Sequence, residues 1–177
     1  GEYAMSANTT GADNTAIGKS ALQGNTSGDQ NVSVGRNSML NTTTHHRNTS
    51  VGYQSMASGV QGDNNVALGY NSLYTNTADN NTALGYNSLF ANTSGTLNTA
   101  VGQGALDANT TANNNTAVGH ASLTENTTGS SNSALGLNSL QANTTGANNT
   151  AVGQDALYAN TTADNNTAIG KGAMVAN

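Results

Sequence analysis

The chain has 177 residues, of which 34% are hydrophobic and only 7% charged, with no Trp, Pro or Cys. That is too few apolar side chains for an ordinary globular core, and so low a charge is unlike polar disorder, which is rich in Lys, Glu and Pro. A net charge of -5 with four Lys and Arg residues in total offers no basic patch, so neither nucleic acid nor an anionic membrane surface is an expected partner. No apolar run approaches the roughly 18 residues of a membrane span.

The chain repeats itself from end to end. Taking one glycine per copy as position zero gives Gly1, Gly18, Gly35, Gly52, Gly69, Gly85, Gly102, Gly119, Gly136, Gly153 and Gly170; nine of the ten intervals are 17 residues and one, Gly69 to Gly85, is 16. Seventeen residues are too few for a helical hairpin, which needs about 30, and Asn, Thr and Gly are poor helix formers. Alternation of Thr with Val at one site, as in Thr15, Val32, Thr49 and Val66, points instead to a strand. In chain order the predicted strands are Asn14–Ile17, Asn31–Val34, Asn48–Val51, Asn65–Leu68, Asn81–Leu84, Asn98–Val101, Asn115–Val118, Asn132–Leu135, Asn149–Val152 and Asn166–Ile169. A second short strand is expected in each copy around the Leu or Met four places after the glycine, as in "SLY" at Ser72–Tyr74, with bends at the glycine and at "NTTG". The fold class that follows is all-β: a parallel β-solenoid, or β-roll, of about eleven 17-residue coils in a single repeat array over 1–177. Both chain ends fall inside a coil, which suggests a window of a longer fibre.

The fixed residues then acquire structural roles. The glycine supplies a positive φ or a close approach between coils. Asn14, Asn31, Asn48, Asn65, Asn81, Asn98, Asn115, Asn132, Asn149 and Asn166, four places before each glycine, are expected to stack at about 4.8 Å and bond side chain to side chain. Asn8, Asn25, Asn76, Asn92, Asn109, Asn126, Asn143, Asn160 and Asn177 form a second such row. Strand alternation favours the aliphatic residue before the glycine, and the Thr or Val two places earlier, facing inward, with the intervening Ala or Ser outward as a flat face for another chain. The opposite parity would expose a continuous apolar stripe, which also favours association.

"NNVALGYNSL" (64–73) and "NNTALGYNSL" (80–89) resemble the head repeats of YadA-type trimeric autotransporter adhesins. The "NTAVG" pattern is also similar to repeat arrays in phage tail fibres and large bacterial surface proteins. The resemblance covers every copy and implies a left-handed β-roll in a homotrimer or filament, located at the cell surface, outside the cell or on a virion. The coil here is longer than the usual adhesin repeat, and its second half carries "NTT" where that repeat has a further Ala-x-Gly element.

Chemistry is sparse. His45 and His46 lie in an irregular bend, "TTTHHRN", with no accompanying Cys or carboxylate cluster, and read as a variable solvated turn and not as a metal site. Asp13, Asp29, Asp63, Asp79 and Asp164 match neither an EF-hand nor the calcium coil of β-rolls and read as turn residues. No cofactor and no catalytic residue is expected. Tyr53, Tyr70 and Tyr86 follow three successive glycines and should stack as a surface row, able to contact cell-surface glycans or a neighbouring chain. The "NTT" sequons, such as Asn109, Asn126 and Asn143, would be glycan acceptors in a eukaryotic secretory route and are the bend in a bacterial or phage protein. The expected function is mechanical: a non-enzymatic fibre or stalk of an adhesin, tail fibre or surface filament. Two other classes are an ice-binding solenoid, from Thr rows such as Thr99, Thr116, Thr150 and Thr167, and a glycan-binding module.

Overall fold

The computed structural model describes residues 1–59 and 62–176, so Asn177 of the second asparagine row lies outside the described residues. Ten three-residue strands form one parallel sheet in sequence order. They are β1 (Thr15–Ile17), β2 (Val32–Val34), β3 (Thr49–Val51), β4 (Val66–Leu68), β5 (Thr82–Leu84), β6 (Thr99–Val101), β7 (Thr116–Val118), β8 (Ser133–Leu135), β9 (Thr150–Val152) and β10 (Thr167–Ile169). Each strand meets the next residue for residue, as in Thr99↔Thr116, Ala100↔Ala117 and Val101↔Val118. The chain is a β-solenoid of about nine turns, slightly fewer than the eleven copies counted by glycine. The 16-residue coil keeps the register, with Val66 opposite Thr82 and Leu68 opposite Leu84. Its deletion falls in a bend: Asn76 bonds the Ala78 carbonyl two residues on, where Asn92 bonds the Gly95 carbonyl three residues on.

Among the described residues the expected second strand is not formed. Around position +4 the backbone enters the left-handed region twice, at +2 and at +4, as in Asn71 (φ 54°) and Leu73 (φ 50°). Those two residues aim their amides along the solenoid axis in opposite directions: Asn71 N–H donates to the Tyr53 carbonyl of the preceding coil at 3.1 Å, and Leu73 N–H to the Ser88 carbonyl of the next at 3.1 Å. The segment therefore satisfies its backbone between coils without being extended. The price in conformation explains a regularity of the sequence. Position +4 is Leu or Met in every copy and never Val or Ile, because a β-branched side chain at φ > 0 is a severe outlier. Leu123, at φ 51° and fully enclosed, gives a test. Leu123→Ile should cost about 1–3 kcal/mol from backbone strain, whereas Leu123→Met should cost less than about 1.5 kcal/mol; denaturant melts of the two variants are the check.

The expected strand parity is reversed. The middle residue of each strand faces inward: Ala67, Ala83, Ala100, Ala117 and Ala151 are wholly enclosed, as are Ser33 and Ser50. The flanking positions face out, with Ile17 60% exposed, Leu135 51% and Ile169 72%. The cause is the width of the coil. The opposite wall already fills the interior with Leu22, Met39, Met56, Leu73, Leu89, Leu106, Leu123, Leu140 and Leu157, all at 0% exposure, and close packing leaves room on the strand side for a methyl or a hydroxymethyl only. Where Ser replaces Ala the hydroxyl is bonded inside: Ser33 Oγ donates to the Ser38 carbonyl at 2.9 Å, and Ser38 Oγ to Ser50 Oγ at 2.9 Å.

Candidate functional site

The ten asparagines four places before the glycines do form a row, whose bonds run mostly from side chain to backbone, with side-chain links from Asn31 to Asn14 and from Asn166 to Asn149, both 3.1 Å. From Asn31 onward each backbone N–H donates to the side-chain oxygen of the Asn one coil earlier at 2.8–3.0 Å. From Asn14 to Asn149 each amide nitrogen donates forward to the carbonyl seven places before the next coil's glycine; for Asn115 that is Gly129 O at 2.9 Å. The second row carries such side-chain links more regularly. Asn109, Asn126, Asn143 and Asn160 each donate to the Asn one coil earlier at 2.8–3.1 Å. The two rows converge, since the Gly129 carbonyl accepts from Asn115 and from Asn126, both at 2.9 Å, so both lone pairs of a buried oxygen are used. The second row is interrupted by Thr42 and Gly59, and the Thr42 hydroxyl is enclosed without a partner. The first row has no interruption, because it caps backbone amides that nothing else reaches.

Asn115→Ala should accordingly leave the Asn132 amide without its acceptor, at about 1–3 kcal/mol. Asn113 is not the idle control its sequence position suggests, since its Oδ1 accepts from Thr96 N at 2.7 Å and Thr96 Oγ1 at 3.0 Å. Asn114 is exposed at φ 59°, a conformation glycine adopts without strain, so Asn114→Gly is the better control. Thermal melts should place Asn115→Ala well below Asn113→Ala, and Asn114→Gly closest to the parent; equal shifts for all three would contradict the capping role.

Asn113 belongs to a third row that sequence reasoning missed. Six places before the glycine, most coils carry a side chain that accepts a backbone N–H of the coil before it, as Asp29 from Ala12 at 2.8 Å, His46 Nδ1 from Asp29 at 3.0 Å, Asp63 from His46 at 2.9 Å and Asp164 from Ala147 at 2.7 Å, while Ala12 and Ala147 hold the same site without an acceptor. The signal was an acceptor-bearing side chain, whether Asp, His, Asn or Ser, recurring at one site. This gives Asp29, Asp63, Asp79, Asp164 and His46 a structural task. His45 Nδ1 lies 3.5 Å from Asp63 Oδ1, and Arg47 Nη2 3.4 Å from Asp63 Oδ2. Among the described residues no group of three or more His, Cys, Asp or Glu is placed to hold a metal, and no helix is long and apolar enough to cross a membrane. Burial raises the Asp107 carboxyl above its ordinary value; its protonated form is thereby favoured in the fold, so its contribution to stability falls as pH rises through the folded value.

Asn109, Asn126 and Asn143, the sequon asparagines, are completely enclosed with their amide nitrogens bonded, so the folded chain does not present them for glycosylation. Two surfaces remain. One is the outer face of the sheet, where Thr, Val or Ser at the first strand position and Ile, Val or Leu at the third form two parallel rows across ten strands, with no charged residue in either. Rows step by about 4.8 Å between strands and lie about 6.6 Å apart along them. The other is aromatic: Tyr53, Tyr70 and Tyr86 stack with ring centroids 5.3 Å apart and planes 12° off parallel, and Tyr74 stacks on Phe90 at 5.3 Å. Compared with known protein families, curated proteins and solved structures, the chain matches none.

Proposed function

We propose that this chain is a non-enzymatic structural segment, the shaft or stalk of an extracellular adhesin, tail fibre or surface filament, whose copies associate through the outer face of the sheet. The observation that carries this reading is the uncharged Thr/aliphatic face running across all ten strands. A contiguous apolar stripe of that length exceeds what soluble monomers ordinarily leave in water. Parallel packing of two or three such faces, a homotrimer or a filament, would cover it. The small Ala/Ser residues expected to form the contact point inward and cannot serve.

One observation favours a second reading. With the parity reversed, the Thr row at Thr82, Thr99, Thr116, Thr150 and Thr167 points outward, as an ice-binding face requires. Against it, Val32, Val66 and Ser133 interrupt the Thr row, and the adjacent row mixes Val with longer Leu and Ile, so the face is uneven. Thr116→Lys would fold under either reading because the site is exposed. Sedimentation and negative-stain images of the parent and of Val101→Arg/Val118→Arg, with a thermal-hysteresis assay on the same samples, separate the two. The shaft reading expects rods or multimers that the double variant disperses, and no hysteresis. A monomeric parent with hysteresis that Thr116→Lys abolishes would establish the ice-binder instead.

A further inference from the structure

In an array of near-identical coils, the stretches that depart from the repeat are where selection for something other than folding should show. Of the six Tyr and one Phe, Tyr53, Tyr70, Tyr74, Tyr86 and Phe90 fall in adjacent coils. Each residue of the main row is followed by an amide, as Tyr53–Gln54, Tyr70–Asn71 and Tyr86–Asn87. The side-chain oxygens of Asn71 and Asn87 are enclosed and have no hydrogen-bond partner, an uncommon and costly state for a buried acceptor.

We propose that the Tyr53/Tyr70/Tyr86 row and its amides form a binding strip for a neutral, extended oligosaccharide lying along the solenoid axis, about one sugar per coil. Within the stack each ring covers its neighbour's face, and the guanidinium of Arg36 sits 5.9 Å over Tyr53, so that end is closed. What the row turns outward is ring edges and phenol hydroxyls, with Tyr70 44% and Tyr86 51% exposed. A phenol both donates and accepts, and here it recurs with the coil rise of about 4.8 Å. A ligand whose own hydroxyls recur at the length of one sugar ring meets the same partners coil after coil. A sugar hydroxyl is also the kind of donor that the Asn71 and Asn87 oxygens lack. Ligand neutrality follows from the six side chains of the strip, none of which is charged. The same row packing against another protein chain is the competing outcome.

The test is native affinity electrophoresis through hydroxyethylcellulose, with calorimetry of cellohexaose. Retarded migration of the parent is expected, with affinity at least tenfold weaker in Tyr70→Ser/Tyr86→Ser and at least threefold weaker in Asn71→Ala/Asn87→Ala, and no change in Tyr158→Ser. Circular dichroism should show all variants folded, since Tyr70 and Tyr86 are exposed and Ala121 already holds the place of Asn71 and Asn87 in its own coil at φ 54°. The proposal is overturned if the parent is neither retarded nor titrated, or if retardation survives in Tyr70→Ser/Tyr86→Ser. It is equally overturned if that variant changes the sedimenting mass instead, which assigns the row to chain association. The inference does not rest on the shaft reading, whose own variants lie on the sheet face.

Discussion

Ala117→Arg is expected to unfold the chain and not merely to separate its copies. Ala117 is wholly enclosed, between Ala100 and Ala134 in the same inner row, and the wall opposite is packed with Leu106, Leu123 and Leu140. A guanidinium placed there has no acceptor arranged for it and no room, and burying an unpaired charge costs several kcal/mol even after relaxation. Because each coil of a solenoid is stabilised by its neighbours, the damage at β7 should spread into the coils on either side. Val118→Arg, one residue on, extends into solvent and should keep the parent's circular dichroism. The measurement is a pair of thermal melts: loss of the cooperative transition for the first and near-parent melting for the second.

Gly119→Ala is the other substitution with a large expected effect. Gly119 has φ 138°, and a Cβ on it would lie 2.3 Å from the Gly136 carbonyl oxygen and 2.6 Å from its carbon. Those are backbone atoms of the next coil and cannot turn aside, so the coils must part and the hydrogen bond from Gly136 N–H to Val118 O, 2.8 Å long, must stretch. Strain at such a φ is worth about 1–3 kcal/mol and overpacking a similar about 1–3 kcal/mol, together a large part of the stability of a domain this size. Gly104 is the control: φ is 66°, nothing lies within 4 Å of the added Cβ, and Ala121 holds the equivalent place in the next coil at φ 54°. Gly104→Ala should cost about 1 kcal/mol. Similar melting losses for the two would contradict the proposed coil-to-coil contact at position zero.

Much of this architecture was legible in the residues. The strands fall within the segments marked by Asn and Gly, because the period of 17 leaves little choice of where an extended run fits. Leu and Met at +4 were recognisable as interior from their invariance in size. Strand parity was not legible, since alternation along three residues distinguishes two faces without saying which is inner. That depends on how much of the lumen the opposite wall fills, a property of Ala117 and Leu123 taken together. The left-handed bend was missed although its mark was present: positions +2 and +4, and the site five before the glycine, hold Asn, Asp, Gly, Leu or other unbranched residues and no Val, Ile or Thr in any copy. Read for backbone conformation and not for hydrophobicity, that absence excludes a second strand.

The orientation of the strands decides both which face can associate and which residues hold the fold, and the lack of native cysteine makes it directly measurable. Thr116→Cys, Ala117→Cys and Val118→Cys, made singly, can each be titrated with a thiol reagent in the folded protein and again in denaturant. The account predicts that the thiol at 117 reacts far more slowly than those at 116 and 118 when folded, and that all three react alike when unfolded. A thiol at 117 reacting as fast as its neighbours, or faster while they are protected, would place the alanines outside and contradict it.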